Sequence, residues 1–204
     1  MIAADLDGFL ERFLRWGAAP TVEGYVALFH ADATLRDPGG DEPLTGPAIR
    51  RSIESVLAAM ADFRLTPVRI GRSEDTVFVE ATNTGTLAGN PLRWEAVYCI
   101  GVRGGHVARG RRYYDRAALY GPLLPTVVEE PRADAGAIHL EPGVVGHAPD
   151  GWFREWTGTV AMAGAARPFG VVERHAGGEH RWFFDRISLL PAAAALVEQI
   201  GVTR

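Results

Sequence analysis

All 21 basic residues of this 204-residue chain are arginine and none is lysine, which removes Schiff-base chemistry and any Walker-type phosphate loop. The single cysteine, Cys99, excludes an internal disulfide and a Cys-rich zinc site. No Gly-x-Ser-x-Gly elbow and no dinucleotide fingerprint occurs. The six histidines, His30, His106, His139, His147, His175 and His180, show no metal-ligand spacing, so neither a metal nor a cofactor is expected. His30 lies close to the Asp37 segment and could assist proton transfer, although a helix-end histidine satisfied by local carbonyls is commoner. Asp37 opens Asp37-Pro38-Gly39-Gly40, a strong turn signal in which the carboxylate could simply cap the backbone. Alternation along a strand puts Tyr98 on one face with Trp94, Ala96 and Ile100, and Glu95, Val97 and Cys99 on the other. On the next strand Gly110, Arg112 and Tyr114 share a face, opposite Arg109, Arg111 and Tyr113. If Tyr98 faces a cavity, that cavity is aromatic with one arginine, lined by Phe13, Trp16, Tyr25, Trp94, Tyr98, Arg112 and Tyr114 with Asn83 beside them. Such a pocket suits a flat, polycyclic or aromatic substrate that offers Arg112 a carbonyl or carboxylate. The alternative is that the aromatics fill a core and Arg112 pairs with Asp37 or Asp115. Cys99 is expected to point into a packed sheet interface as a small hydrophobe.

These residues must be held by helices first and strands afterwards. Leu6, Phe9, Leu10, Phe13 and Leu14 fall at helical spacing, closed by Gly17 and Pro20. Thr21 caps a short second helix, and a third runs from about Pro47 to Met60, with Ile49, Ile53, Val56 and Leu57 on its buried side. From Phe63 the chain turns β-branched and aromatic: 63–70, 76–88, 92–102 and 107–114 read as an antiparallel meander. The fold class is therefore α+β, three helices laid on one face of a curved antiparallel sheet.

A shift of 75 places sets Leu65 on Leu140, Pro67 on Pro142, Gly71 on Gly146, Asp75 on Asp150, Phe78 on Phe153 and Glu80 on Glu155. With small deletions in the turns, Tyr113-Tyr114-Asp115-Arg116 then meets Phe183-Phe184-Asp185-Arg186. The run predicts a second antiparallel sheet that repeats the strand half and packs on the first as an internal pseudo-dimer. The expected domains are a cone over 1–124, a linker over 125–136, and a degenerate second sheet with a final helix over 137–204. At Asn83, Trp94, Tyr98, Arg112 and Tyr114 the second copy has about Gly158, Phe169, Glu173, Trp182 and Phe184. Its polar constellation is mostly lost, so it is expected to be scaffold, leaving one cavity per chain.

Composition bounds the partners. A formal charge of −4 and a pI near 5.9 argue against nucleic acid or an anionic membrane as partner. No apolar run approaches the roughly 20 residues of a membrane span. The N-terminus, Met1-Ile2-Ala3-Ala4-Asp5, lacks the basic start of a signal peptide, and a cytoplasmic protein is expected.

Several segments carry a family likeness: 28–38 (Leu-Phe-His-Ala-Asp-Ala-Thr-Leu-Arg-Asp-Pro), Leu44-Thr45-Gly46, Phe78-Val79-Glu80, 85–89 (Gly-Thr-Leu-Ala-Gly), Gly105-His106-Val107 and Tyr113-Tyr114-Asp115. With the order of helices and strands over residues 5 to about 124, they resemble the SnoaL-like and ketosteroid-isomerase-like branch of the nuclear transport factor two-like fold. The resemblance implies a cone-shaped scaffold that hosts isomerases, cyclases, dehydratases, epoxide hydrolases and non-catalytic binders alike. It places Asp37 where ketosteroid isomerases have their general base, and Tyr98 where they have an oxyanion donor. The chain departs from that pattern at Phe13, where the isomerases have a tyrosine, and at Arg112, where epoxide hydrolases have an aspartate. Ala81 and Asn83 stand where the limonene-type hydrolase triad has an arginine and a carboxylate, so that triad is absent. The function implied is cofactor-independent acid–base chemistry on a bulky hydrophobic carbonyl compound, an isomerisation, cyclisation or dehydration. Asp37 would be the base, Tyr98 the enolate donor, and Arg112 with Asn83 the orienting groups. The alternative is a non-catalytic binder of a hydrophobic intermediate. The only partner expected is a hydrophobic small molecule, with the chain acting as a monomer or a homodimer.

Overall fold

Leu6, Phe9, Leu10 and Phe13 are all buried along α1 (Ile2–Ala18) in the computed structural model. The structure describes residues 2–120, 138–162 and 165–189. Thr21 precedes α2 (Val22–Val26) in an extended conformation, and its hydroxyl oxygen accepts from the Gly24 amide at 3.1 Å. That bond satisfies one of the donors a helix start leaves open. Two strands follow, β1 (Phe29–Arg36) and β2 (Leu44–Thr45). Pro47 then opens α3 (Pro47–Ala59), where its missing N–H is harmless, and Ile49 and Ile53 form the buried side. The meander is β3 (Arg64–Arg72), β4 (Thr76–Leu87), β5 (Asn90–Arg103) and β6 (His106–Tyr114), followed by α4 (Arg116–Tyr120). The second half holds β7 (Ile138–Ala148), β8 (Gly151–Met162), β9 (Ala165–Ala176) and β10 (Glu179–Phe183), then a 3-10 turn over Ile187–Leu189. The expected linker over 125–136 and the expected final helix near 191–200 lie outside the described residues. No described helix is long and apolar enough to cross a membrane.

Two expectations about the sheet are corrected. The ten strands form one hydrogen-bonded sheet, in the order β10-β9-β8-β7-β3-β4-β5-β6-β1-β2, rather than two separate ones. The halves join through a single ladder pair, Arg72 with His147, between β3 and β7. The sheet is also mixed: β1 runs parallel to β6. The connection between them carries α3 and four strands, long enough to bring the chain back in the same direction.

The alternation along β5 and β6 follows the sequence expectation. Trp94, Tyr98, Ile100 and Tyr114 belong to the core under the helices, whereas Val97, Cys99 and Tyr113 belong to a second core on the opposite face. That second core also takes Phe153, Val172 and Phe183 from the far half of the sheet. Phe78 and Phe153 stack there with ring centroids 5.6 Å apart and planes at 6°. Their strands are three places apart in the sheet, about 14 Å if it were flat, so it folds sharply at the β3/β7 joint and closes on itself. Gly71 and Gly146 make the closure possible, because a Cβ on Gly71 would strike Phe153 and one on Gly146 would strike Phe78.

Charges exchange across the same closure. Glu155, nearly inaccessible to solvent, takes Arg111 and the Tyr113 hydroxyl. Glu80 takes Arg69 at 3.0 Å and Arg174 at 3.5 Å. At the ends of β6 and β10, Asp185 receives the Arg116 Nε at 2.9 Å, and Asp115 receives the Arg186 Nε at 2.5 Å. A buried carboxylate persists only when its charge is met in this way.

Candidate active site

The parallel register of β1 and β6 pairs Arg36 with Arg111 and so brings the next residues, Asp37 and Arg112, side by side. Their side chains form an ion pair, with Asp37 25% and Arg112 15% exposed. The turn expected at Asp37 is present: the Gly40 amide donates to the Asp37 carbonyl at 3.2 Å, and Gly39 takes φ +74°, which favours glycine. Arg112 also donates to the Ser52 hydroxyl of α3 at 3.4 Å. Burial works against the Arg112 charge, but the negative charge of Asp37, with Tyr25 and Tyr114 beside it, more than offsets this and holds the proton above the ordinary guanidinium range. The pairing of Arg112 with Asp37, one of the two alternatives open in the sequence, is the one formed.

Tyr98 stands opposite Arg112 across the β5/β6 ladder. Its hydroxyl donates to Asn83 Oδ1 at 2.8 Å. Burial raises the Tyr98 pKa; the Arg112 charge and the Asn83 bond pull the other way without overcoming it. Asn83 is fully buried, and its Nδ2 has no hydrogen-bond partner among the described residues. A buried donor of this kind costs free energy until an acceptor reaches it.

The aromatic residues expected to line an open cone lie against one another. Phe13 meets Tyr98 edge-on at 5.6 Å, Trp16 lies 4.8 Å from Tyr25, and Trp94 lies 5.9 Å from Phe63. Trp16 also donates its indole N–H to the Thr21 carbonyl at 3.0 Å, and Tyr114 packs against the edge of the same core. A cleft of about 520 Å³ opens instead between the two halves of the sheet, walled by Asp37, Pro38, Gly39 and Arg112 on one side. The far half of the sheet supplies the other side, including His139, Glu141, Thr157, Thr159 and Phe169. The structure thus joins Asp37 and Arg112 in one cleft and sets Tyr98 and Asn83 behind them.

Residues 10–110 match the family profile of the SnoaL-like domain. This chain carries a SnoaL-like domain. Solved structures share the fold at low identity. A protein from Catenulispora acidiphila with a ketosteroid isomerase-like fold, solved with trimethylamine, is 20% identical over 55% of this chain and 89% of its own, with a TM-score of 0.51. AclR from Streptomyces galilaeus, a candidate hydroxylase, is 21% identical over 63% and 87%, with a TM-score of 0.54. IdmH from Streptomyces antibioticus, a candidate polyketide cyclase, is 18% identical over 57% and 96%, with a TM-score of 0.51. These likenesses are of fold, and none reaches across the whole chain. No curated protein matches the sequence.

The SnoaL-like match stops at residue 110, just short of Arg112. Ser52 and the cleft residues of β7, β8 and β9 were absent from the residues expected at the site. Ser52 had no signal in sequence. Phe169 had one, as an apolar position of the repeated strands, yet nothing in its spacing pointed at Asp37.

The buried acids behind the site predict an alkaline limit to stability. Burial pushes the Cys99 thiol up to about 12 from an ordinary 9.0, and burial with the charge of Glu155 raises Tyr113 well above 10.0. Each group is protonated in the fold, whereas the unfolded chain releases its proton from about pH 9 upward. The contribution is therefore complete below pH 9 and is lost as pH rises towards 12. Thermal unfolding followed by circular dichroism is expected to show a falling Tm between about pH 9 and 11, shallower in a Cys99→Ala, Tyr113→Phe variant. Parallel profiles for the two proteins would count against it.

Proposed function

We propose that this chain is a cofactor-independent acid–base catalyst of cyclase, isomerase or dehydratase type, acting in the cytoplasm on a bulky hydrophobic carbonyl compound. The observation that carries this reading is the enclosed Asp37–Arg112 pair in the wall of a cleft of about 520 Å³. A carbonyl oxygen entering the cleft competes with Asp37 for the Arg112 guanidinium, whose donors can serve both. Asp37 then has a free carboxylate oxygen to take a proton from the carbon next to the carbonyl. The C–H electron pair moves into the carbonyl, and the enolate oxygen rests on Arg112. Returning that proton to a different carbon completes an isomerisation. Attack of the enolate carbon on a second carbonyl closes a ring, with neutral Asp37 protonating the new alkoxide; loss of water then gives the dehydrated product. Tyr98 and Asn83 lie outside the cleft wall, so Tyr98 would reach the enolate only by releasing Asn83 and moving toward Arg112. Phe13, Trp16, Tyr25, Trp94 and Tyr114 belong to the packed core beside the pair rather than to the cleft wall, where Pro168 and Phe169 supply the apolar surface.

In this reading residues 137–204 are a degenerate copy of the strand half, linked through 125–136 to the cone of 1–124. The reciprocal contacts of Gly71 with Phe153 and Gly146 with Phe78 support it, as does the exchange of Asp115 and Asp185 between Arg186 and Arg116. The copy replaces a second subunit and gives one reactive cleft per chain, in a monomer or a homodimer.

The closed Asp37–Arg112 pair and the satisfied Tyr98 hydroxyl favour a second reading, a binder that holds such a compound without chemistry. Incubation with aromatic β-diketones and β,γ-unsaturated ketones, followed by tryptophan fluorescence and by product analysis, separates the two. Catalysis predicts a fluorescence change together with consumption above the buffer rate. A fluorescence change without consumption supports the binder, and neither response overturns both.

A further inference from the structure

The far half of the sheet carries a cluster that the cleft does not use. Glu173 and His175 on β9 and His180 on β10 share one face, because the β9/β10 register pairs His180 with His175 and Trp182 with Glu173. Both imidazole Nε2 atoms converge on the same carboxylate oxygen, Glu173 Oε1, from 3.0 Å for His175 and 3.1 Å for His180. The three ligand atoms all lie within 4.8 Å of one another. The second carboxylate oxygen accepts the Trp156 indole N–H at 3.0 Å, which fixes the direction the first one faces.

The charge of Glu173 is what makes this more than a hydrogen-bonded surface. It is buried, 9% exposed, and among the described residues no arginine pairs with it, unlike Glu80 and Glu155. Arg154 is its cross-strand neighbour on β8, but the Arg154 guanidinium lies over the rings of Trp152 and Trp156, 5.1 and 5.6 Å from their centroids. A carboxylate flanked by two imidazoles, and with no arginine partner among the described residues, is complementary to a metal ion once the imidazoles are neutral. Ligands on bonds of 2.0–2.1 Å sit about 3.3 Å apart around a tetrahedral ion, close to the two imidazole–carboxylate separations of 3.0 and 3.1 Å. The two imidazole rings stack at 4.1 Å with planes at 23°, so a modest tilt turns both lone pairs onto a shared ion, each ring keeping its proton on Nδ1. The imidazoles are 38% and 44% exposed, which leaves an entry path and at least one position for water.

We propose that Glu173, His175 and His180 form a binding site for a hydrated divalent transition-metal ion of the zinc class, with Trp156 as the residue that positions the carboxylate. Two imidazoles and one carboxylate suit zinc, nickel, copper or iron(II) over magnesium or calcium, which take oxygen ligands. A bound ion ties the edge hairpin β9/β10 together and stabilises the folded chain by mass action. The site is independent of Asp37 and would stand if the reaction proposed above were wrong.

The experiment is a zinc titration of the tag-free full chain after stripping with a chelator, read by calorimetry and by Tm. The expected result is about one equivalent bound with a rise in Tm. Glu173→Gln and His180→Ala are each expected to weaken binding by about 100-fold, and Trp156→Phe by about tenfold. Cobalt(II) should give a visible d–d absorption in the wild type that is lost in His180→Ala, a readout that folding alone would not move. His180 is on an exposed edge strand, so circular dichroism should be unchanged in that variant. Absence of stoichiometric binding, or binding that His180→Ala and Glu173→Gln leave intact, would overturn the proposal.

Discussion

Asp37→Asn is expected to lower kcat by about 10²- to 10⁴-fold, the range that a positioned acid–base group contributes, while ligand affinity changes little. Asparagine keeps the shape of the side chain and an oxygen for Arg112 but cannot accept the proton. The fall should therefore appear equally in kcat and kcat/KM, the signature of an interaction made in the transition state alone. Removing one charge from the Asp37–Arg112 pair also costs stability, about 1–3 kcal/mol for a charge-assisted hydrogen bond, and unfolding curves measure that loss separately. Turnover by a folded Asp37→Asn protein at the wild-type rate would remove Asp37 from the mechanism.

Asp185→Ala is expected to be the most destabilising single change at the junction of the two halves. Asp185 is buried, and its oxygens accept from the Arg116 amide at 3.0 Å, the Arg116 Nε at 2.9 Å, and the Ser188 amide and hydroxyl at 3.0 and 2.5 Å. Alanine leaves the Arg116 charge buried with no anion, a loss of about 3–5 kcal/mol. For a chain of this length that lowers Tm by roughly 6–20 °C. The counterpart, Asp115→Ala, should cost clearly less, because Asp115 is 23% and Arg186 40% exposed and water screens the pair. Urea or thermal unfolding of the two variants side by side checks the order; equal losses would contradict it.

The meander and its faces were legible because each strand alternates: Val97 and Cys99 against Tyr98 and Ile100 leave only one register that buries both sets. The helix starts were legible from Thr21 and Pro47, where local chemistry decides the structure. The closure of the sheet was legible only in part. The 75-residue shift aligns Gly71 with Gly146 and Phe78 with Phe153, but that each glycine makes room for a ring from the other half of the sheet follows from the fold at the β3/β7 joint, which no local pattern encodes. The single pair Arg72–His147 is equally silent, since an edge strand reads the same whether or not it is paired.

The site divides along the same line. Asp37 was legible as a turn residue at a family position, and Arg112 as an inward arginine, but their direct contact depends on the parallel register of β1 with β6. The aromatic residues were legible as apolar and inward-facing, which does not distinguish the wall of an open pocket from rings packed on one another. The histidines mislead in sequence for a related reason. His175 and His180 have no ligand spacing along the chain, and Glu173 joins them only through the hairpin register.

Solvent deuterium exchange at the α-carbon of a bound ketone, followed by nuclear magnetic resonance with the wild type and Asp37→Asn in parallel, requires only that Asp37 take a proton from carbon. Exchange well above the buffer rate with the wild type, and at the buffer rate with Asp37→Asn, is the result predicted. Equal exchange by the two proteins, or none above buffer from a wild type that demonstrably binds the ketone, would contradict it.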